Sequence, residues 1–325
     1  SQDLLVDMFV LPPFPYKQSF TAFQAEFSFV SAITDMATQK IDATAKYLED
    51  FVQRSKEQGV SYLELTKSCA KDPEGLQKFS KSRSELMGKS NLVINSNCAF
   101  SRTSDPSKNA KDAKAIFEAL LTTQKSDDPI FNITGIDLHS NEMKDQVYDV
   151  SALGAGQRIY ACRLKMVKHD GLRLRATMHA GELGDVRNVR DALIMGAERL
   201  GQGVRLFDDP VVLEYARRLK IPIETNLVSS VRLNSVPSFE EHPYLNFRRL
   251  GLPVALSTDD EGMLDTDINN ECVQAIEKTD LTYSELRRLV RNSIRTSFAD
   301  PAVKSRLLQE LNQRLEKFEA TWRTK

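Results

Sequence analysis

The stretch "LRLRATMHAGELGDVRNVRDALIMGAERLGQG", residues 172–203, decides how the chain is read. A short β-rich run (172–179) leads into a glycine-flanked bend, a helical stretch (187–197) and a second short run (198–203). Strand, helix and strand joined this tightly imply a parallel βαβ crossover. The strand ends are unusual. His179 and Glu182 follow the first run and Gln202 closes the second. An imidazole and a carboxylate at the end of a buried strand are costly unless something compensates them.

The alternation continues in both directions. Upstream, the runs 60–65, 91–95 and 131–138 alternate with helical stretches 41–58, 107–124 and 151–169. Downstream, 221–226 and 252–260 alternate with 209–219, 240–250 and 268–278, and helices 283–297 and 301–322 close the chain. Seven such β-then-α units imply a parallel sheet with helices outside. They approach the eight of a closed (β/α)₈ barrel, and no glycine-rich dinucleotide fingerprint suggests the alternative doubly wound sheet. The fold expected is α/β, a TIM-type (β/α)₈ barrel. Residues 1–325 form one domain, with 1–40 a loop and an aromatic-rich helix and 283–325 the closing helices. The first strand of that barrel is not identifiable. The spacing of Phe20, Phe23 and Phe27 reads as a helix packed on the barrel, with a pocket border as the alternative.

An apolar fraction of 41% and a charged fraction of 27% mark a globular chain rather than a disordered one. A formal net charge of −1 weighs against a nucleic-acid binder, and the arginine pairs on separate helices read as solvated faces. No apolar run reaches the ~18 residues of a transmembrane helix. Cys69, Cys98, Cys162 and Cys272 lie far apart without metal-type spacing and are expected as free or buried thiols. The chain opens at Ser1 with no initiator Met or signal pattern, which reads as a processed or truncated form of something longer. The compartment stays open between cytoplasmic and, if a signal peptide has been removed, periplasmic or secreted.

In a (β/α)₈ barrel the chemistry sits at the C-terminal ends of the strands. Four ends carry polar groups: "GIDLHSNE" with Asp137, His139 and Glu142; "HAGE" with His179 and Glu182; "GQG" with Gln202; and "STDDEG" with Asp259 and Asp260. Each alone has an ordinary reading. A lone strand-end histidine is usually structural, and paired aspartates before glycine usually make a turn or a cap. Their joint occurrence, in this order, points to hydrolysis at a metal. His and Asp suit zinc, zinc brings the pKa of bound water to ~7, and a neighbouring carboxylate can take the proton. His139 is a candidate substitute ligand, while His169 reads as surface and His242 as structural.

"MHAGE" (178–182), "RLGQG" (199–203), "STDDEG" (257–262), "GIDLHSNE" (135–142) and "RRLVRNSIRTSF" (287–298) together resemble the adenosine deaminase superfamily. The longer N-terminal segment and the "STDDEG" wording look more like its growth-factor-related bacterial branch than like the short adenosine deaminases. The resemblance runs over roughly residues 15–325. It implies zinc-dependent hydrolytic deamination of a purine nucleoside, adenosine to inosine, with His179 and Asp259 as metal ligands. Glu182 is then the proton donor to the purine, and Asp260 orients the attacking water. Ser140 replaces a glycine whose amide meets the base, and Ser140 and Glu142 are expected to face substrate. Two departures matter. The family's HxH ligand pair is absent, since no histidine precedes residue 139, and the histidine that activates water is Gln202. An amide cannot accept a proton at useful pH. The expectation is therefore an impaired deaminase with an incomplete zinc site and a small-molecule purine partner. A homodimer is compatible with it, and neither a nucleic acid nor a membrane is expected as partner. The alternatives are a catalytically inactive relative that binds a purine or a protein, and a different metal-dependent hydrolase on the same scaffold.

Overall fold

The structure, a computed structural model, describes residues 17–38, 43–68, 73–124, 133–144, 148–149 and 152–323. Seven strands form one parallel sheet: β1 (Tyr62–Ser68), β2 (Val93–Ser101), β3 (Ile133–His139), β6 (Arg175–Ala180), β7 (Arg199–Gln202), β8 (Ile223–Thr225) and β9 (Val254–Leu256), paired in that order. A small antiparallel hairpin, β4 (Met143–Lys144) with β5 (Tyr148–Asp149), follows β3. Each expected run is a strand, shifted by a few residues. Among the described residues β1 and β9 are the outer strands and no ladder joins them. This is the α/β TIM-type barrel expected, seen as a curl of seven strands, in keeping with a first strand that the sequence leaves unidentified.

The helices lie outside the curl. They are α1 (Phe20–Thr38), α2 (Ala43–Glu57), α3 (Pro73–Ser90), α4 (Pro106–Gln124), α5 (Ala152–His169), α6 (Val186–Ile194), α7 (Pro210–Leu219), α8 (Leu227–Arg232), α9 (Tyr244–Arg249), α10 (Glu261–Leu264), α11 (Ile268–Lys278), α12 (Tyr283–Thr296) and α13 (Pro301–Arg323). The sequence reading missed α3, whose serines and lysines blur its apolar period, and the short α8 and α10.

Alternate strand residues face opposite ways. Ile94, Ile136, Leu138, Ala176, Met178, Leu200, Ile223 and Val254 are fully buried between the sheet and the helices. The opposite set fills the inside of the curl and is polar. At its base, Arg199 pairs with Glu64 at 2.5 Å and with Glu224, while the Glu64 carboxylate also accepts from Tyr62 Oη at 2.5 Å. The Arg199 guanidinium lies 3.9 Å from the centre of the Phe298 ring. A Cβ at Gly135 would meet that ring at 2.7 Å, so only glycine lets Phe298 plug the base.

The expectation of free thiols throughout fails at Cys98, which is disulfide-bonded, whereas Cys162 and Cys272 are free. Distance along the chain misled there, because parallel pairing sets Cys98 beside Lys67 at the end of β1. Cys69 lies outside the described residues, as does the segment 1–16. Among the described residues no helix is long and apolar enough to cross a membrane.

Candidate active site

Strand β6 delivers His179 to the end of the curl, and β3 supplies what holds it. Asp137, fully buried, accepts from His179 Nδ1 at 2.7 Å and from the His179 backbone N–H at 3.0 Å. Two bonds from one carboxylate fix both ring orientation and tautomer, leaving Nε2 as the nitrogen that faces the site. This carboxylate–imidazole arrangement is the usual support of a metal-bound histidine. On the next strand, Gly201 makes room for the ring, since a Cβ there would lie 3.1 Å from His179 Cγ. Burial alone would raise the Asp137 pKa, but the His179 ring outweighs it and holds the carboxyl down at about 2. Burial likewise disfavours charge on His179, and Asp137 reverses this, raising the imidazole well above its ordinary value.

After β6 the chain turns at Gly181, where φ is +71° and a Cβ would strike Val189 at 2.5 Å. The turn points successive backbone N–H groups at one acceptor. Glu142 takes Gly181 N at 2.8 Å on one oxygen, and Glu182 N at 3.1 Å, Leu183 N at 3.2 Å and Gly184 N at 2.6 Å on the other. Glu142 was expected to face substrate. Its side chain is instead 1% exposed and committed to this loop. The sequence reading could not see this, because the partners lie about forty residues away and are backbone groups. Glu182, on that loop, is 5% exposed. Burial, then the charge of Asp259, pushes its carboxyl up to about 8.

The other strand ends converge on the same place. Gln202 and Asp259 both have left-handed backbones, at φ 69° and 57°. A non-glycine residue is held there only by its surroundings, and such strain collects at functional sites. Gln202 Nε2 donates to Asp259 Oδ2 at 3.1 Å, and Ser229 Oγ donates to the same oxygen at 2.7 Å. With the amide donating to a carboxylate, Gln202 Oε1 is left buried without a partner among the described residues. Asp260 stands at the N-cap of α10, yet its side chain makes no capping bond. The ordinary cap reading of the paired aspartates therefore does not hold. Burial and the neighbouring Asp259 charge push Asp260 up to about 7. Glu271 was not anticipated. Fully buried, it accepts from Leu227 N at 2.8 Å and Val228 N at 3.3 Å, fixing the start of α8, which carries Ser229.

The remaining candidates separate. Ser140, also left-handed at φ 82°, joins Ser101 Oγ at 2.9 Å and His139 Nδ1 at 3.2 Å. His139 is pushed down to about 4 by burial, so it stays a neutral imidazole. His169 is exposed. His242 is structural, accepting from Tyr244 N at 3.2 Å and meeting Ser230 Oγ at 3.3 Å. Phe23 packs on Leu233, Met263 and Leu264, with Phe20 against the same cluster. Phe27 departs from the packed-helix reading and is 44% exposed.

The zinc implied by the sequence can be tested on these residues. His179 Nε2 and an oxygen of Asp259 are suitable donors, but zinc takes three or four protein ligands, or three and a water. Among the described residues no group of three His, Cys, Asp or Glu side chains is arranged to hold a metal. The described residues do not by themselves complete a zinc site.

A curled parallel sheet with imidazole, carboxyl and carboxamide groups gathered at its C-terminal strand ends defines an α/β barrel-type scaffold with a candidate active site at one mouth. The family described as adenosine deaminase matches residues 14–314, and the chain belongs to it. The adenosine deaminase of Enterococcus faecalis is 30% identical over 184 residues, 56% of this chain and 50% of that protein. The aminodeoxyfutalosine deaminase of Streptomyces avermitilis is 37% identical over 140 residues, 43% of this chain and 39% of that protein. The chain thus spans about half, or less, of the curated relatives it matches. A solved amidohydrolase from Burkholderia ambifaria with bound Zn shares the fold, at TM-score 0.72 and 16% identity, covering 87% of this chain and 76% of that one.

Proposed function

We propose that this chain carries the site of a hydrolytic deaminase for the exocyclic amine of a purine nucleoside, adenosine or a close 6-amino relative, slowed by the amide at position 202. The observation that supports this is a buried carboxyl, Glu182, on the loop that follows His179, kept protonated in the same strand-end cluster as an ionised Asp137. Glu182, pushed up to about 8, holds a proton at neutral pH, whereas Asp137 is down at about 2. Paired titratable groups pushed apart in this way mark an acid and its counterparts. Glu182 donates its proton to a ring nitrogen, which makes the amine-bearing carbon electrophilic. Asp260, up at about 7, takes a proton from water as the oxygen adds to that carbon. Asp260 then passes that proton to the amine, the C–N bond breaks to release ammonia, and the hydroxyl proton returns to Glu182 as the carbonyl forms. Gln202 Oε1, buried and without a partner among the described residues, accepts a hydrogen bond from the water and orients it. It cannot remove the proton, and loss of such a base costs ~10²–10⁴ in rate. In this family zinc supplies a more acidic water when bound, and His179 and Asp259 are the residues here that would hold it.

The decisive comparison is this protein against its Gln202→His variant, both supplied with zinc and assayed for loss of adenosine absorbance. We expect slow turnover by the parent and a gain of ~100-fold in the variant. A parent that is already efficient, with a variant no faster, defeats the impairment. Purine binding by both without turnover by either favours a non-catalytic purine-binding relative, a reading that the two-donor metal set supports.

A further inference from the structure

The group that receives four backbone amides from the Glu182 loop is a single buried carboxylate, and a buried arginine stands behind it. Arg102 follows the end of β2 and its side chain is fully buried. One guanidinium nitrogen lies 3.7 Å from Glu142 Oε1. Another donates to the carbonyl of Leu138, at 3.3 Å, and to that of His179. The pair therefore holds two things at once: the backbone of the histidine and the loop carrying the acid three residues later. The loop is moulded to the carboxylate. A Cβ at Gly184 would lie 2.7 Å from Glu142 Oε2, so only glycine lets the backbone come this close. No neutral side chain can replace the anion. A glutamine offers one carboxamide oxygen and would turn its NH₂ towards backbone N–H groups, donor against donor. An aspartate would be too short to reach.

We propose that Glu142, backed by Arg102, is the positioning residue of the Glu182 loop: a buried anion that shapes residues 181–184 around itself and so aims the acid at the substrate ring. This rests on the proposed acid role of Glu182. The function of the clamp is geometric, since both Glu142 oxygens are already engaged by the protein. Misplacing a reacting group by about 1 Å can cost ~10²-fold in rate.

The test compares the parent with Glu142→Gln. Amide hydrogen exchange read by NMR should show residues 181–184 protected in the parent and at least ~10-fold less protected in the variant, with α6 unchanged. On adenosine, kcat should fall ~10²-fold while KM stays within about threefold. A third readout needs no turnover: affinity for an unreactive purine nucleoside lacking the exocyclic amine. Glu182→Gln should weaken that binding at least ~5-fold in the parent and less than ~2-fold in the Glu142→Gln background, where the acid is no longer aimed. Unchanged protection overturns the proposal, as does lost protection with kcat and the coupling intact. If the parent never deaminates, the proposed function fails, and exchange with binding coupling still decides the clamp. Should Glu142→Gln not fold, Gly184→Ala crowds the same contact while keeping the anion; its Cβ also meets Asn188 of α6 at 2.7 Å, so protection of residues 181–184, kcat and the binding coupling decide, without α6 as the control.

Discussion

The two sides of the strand-end cluster are built differently. On the β3–β6 side the polar groups are closed off by partners: Asp137 takes two donors from His179 and Glu142 takes four backbone amides. On the β7–β9 side, Gln202 and Asp259 both sit in left-handed backbone, and Gln202 Oε1 is buried without a partner among the described residues. The first side is a finished mould around an acid. The second keeps strain and open hydrogen-bonding capacity, as a surface does that a ligand or water completes. A template can be assembled by the chain alone, whereas groups that must act on something arriving later cannot all be satisfied beforehand.

The largest expected effect breaks that comparison on its finished side. Glu182→Gln removes the proton donor but keeps its shape, and turnover of a purine nucleoside should fall by ~10²–10⁴. A fall below about tenfold would move the acid elsewhere. Next comes the support of His179. Asp137→Asn replaces a charge-assisted bond inside the protein and should cost ~1.5–3 kcal/mol in denaturant unfolding. Its pH signature follows from sign. Asp137 is lowered from 3.8 to about 2, so its contribution is full above the unfolded value and is lost as pH falls through about 2. The parent should therefore lose stability more steeply than the variant between these values.

Glu182 gives the opposite slope in metal-free protein. Its carboxyl is raised from 4.5 to about 8, so the folded chain binds the extra proton in between and loses stability as pH rises across that window. Glu182→Gln should flatten this dependence, and an unchanged slope would show that the acid is not held neutral. The smallest effect is on the open side. Ser229→Ala removes one of two donors to Asp259 Oδ2 and should cost ~1 kcal/mol or less, since Gln202 remains. A cost above ~2 kcal/mol would mean that this side is as tightly moulded as the other.

The strands, and the identity of His179, Glu182, Gln202, Asp259 and Asp260 as one cluster, were legible because each falls at the end of a run with its own period. What the runs could not show is which polar residues act on others. Asp137 was noted beside His139, yet its partner is His179, on the neighbouring strand. Arg102 lies in a polar stretch with no periodicity, and its carbonyl partner is 77 positions away. Glu271 sits in the first turn of α11, where an acidic residue reads as ordinary helix-end charge, and its burial depends on α8, too short to announce itself. Supports of this kind bond to backbone, which carries no residue-specific signal. Counting units pointed to the barrel, and the seven strands form its curl, with β1 and β9 as outer strands among the described residues.

The pairing of Arg199 with Glu64 spans 135 positions. During synthesis, β1 and β2 leave the ribosome long before β7 exists. Glu64, already committed to the inner face of the sheet, then has no cation to meet. Until Arg199 arrives, the early strands cannot bury that carboxylate without a large desolvation penalty, so they stay solvated and their inner face remains open. Closing the base of the curl therefore depends on a contact of long sequence separation, whose loop entropy must be met before the contact stabilises anything. Shortened chains that stop before β7 should remain unfolded rather than form half of the sheet.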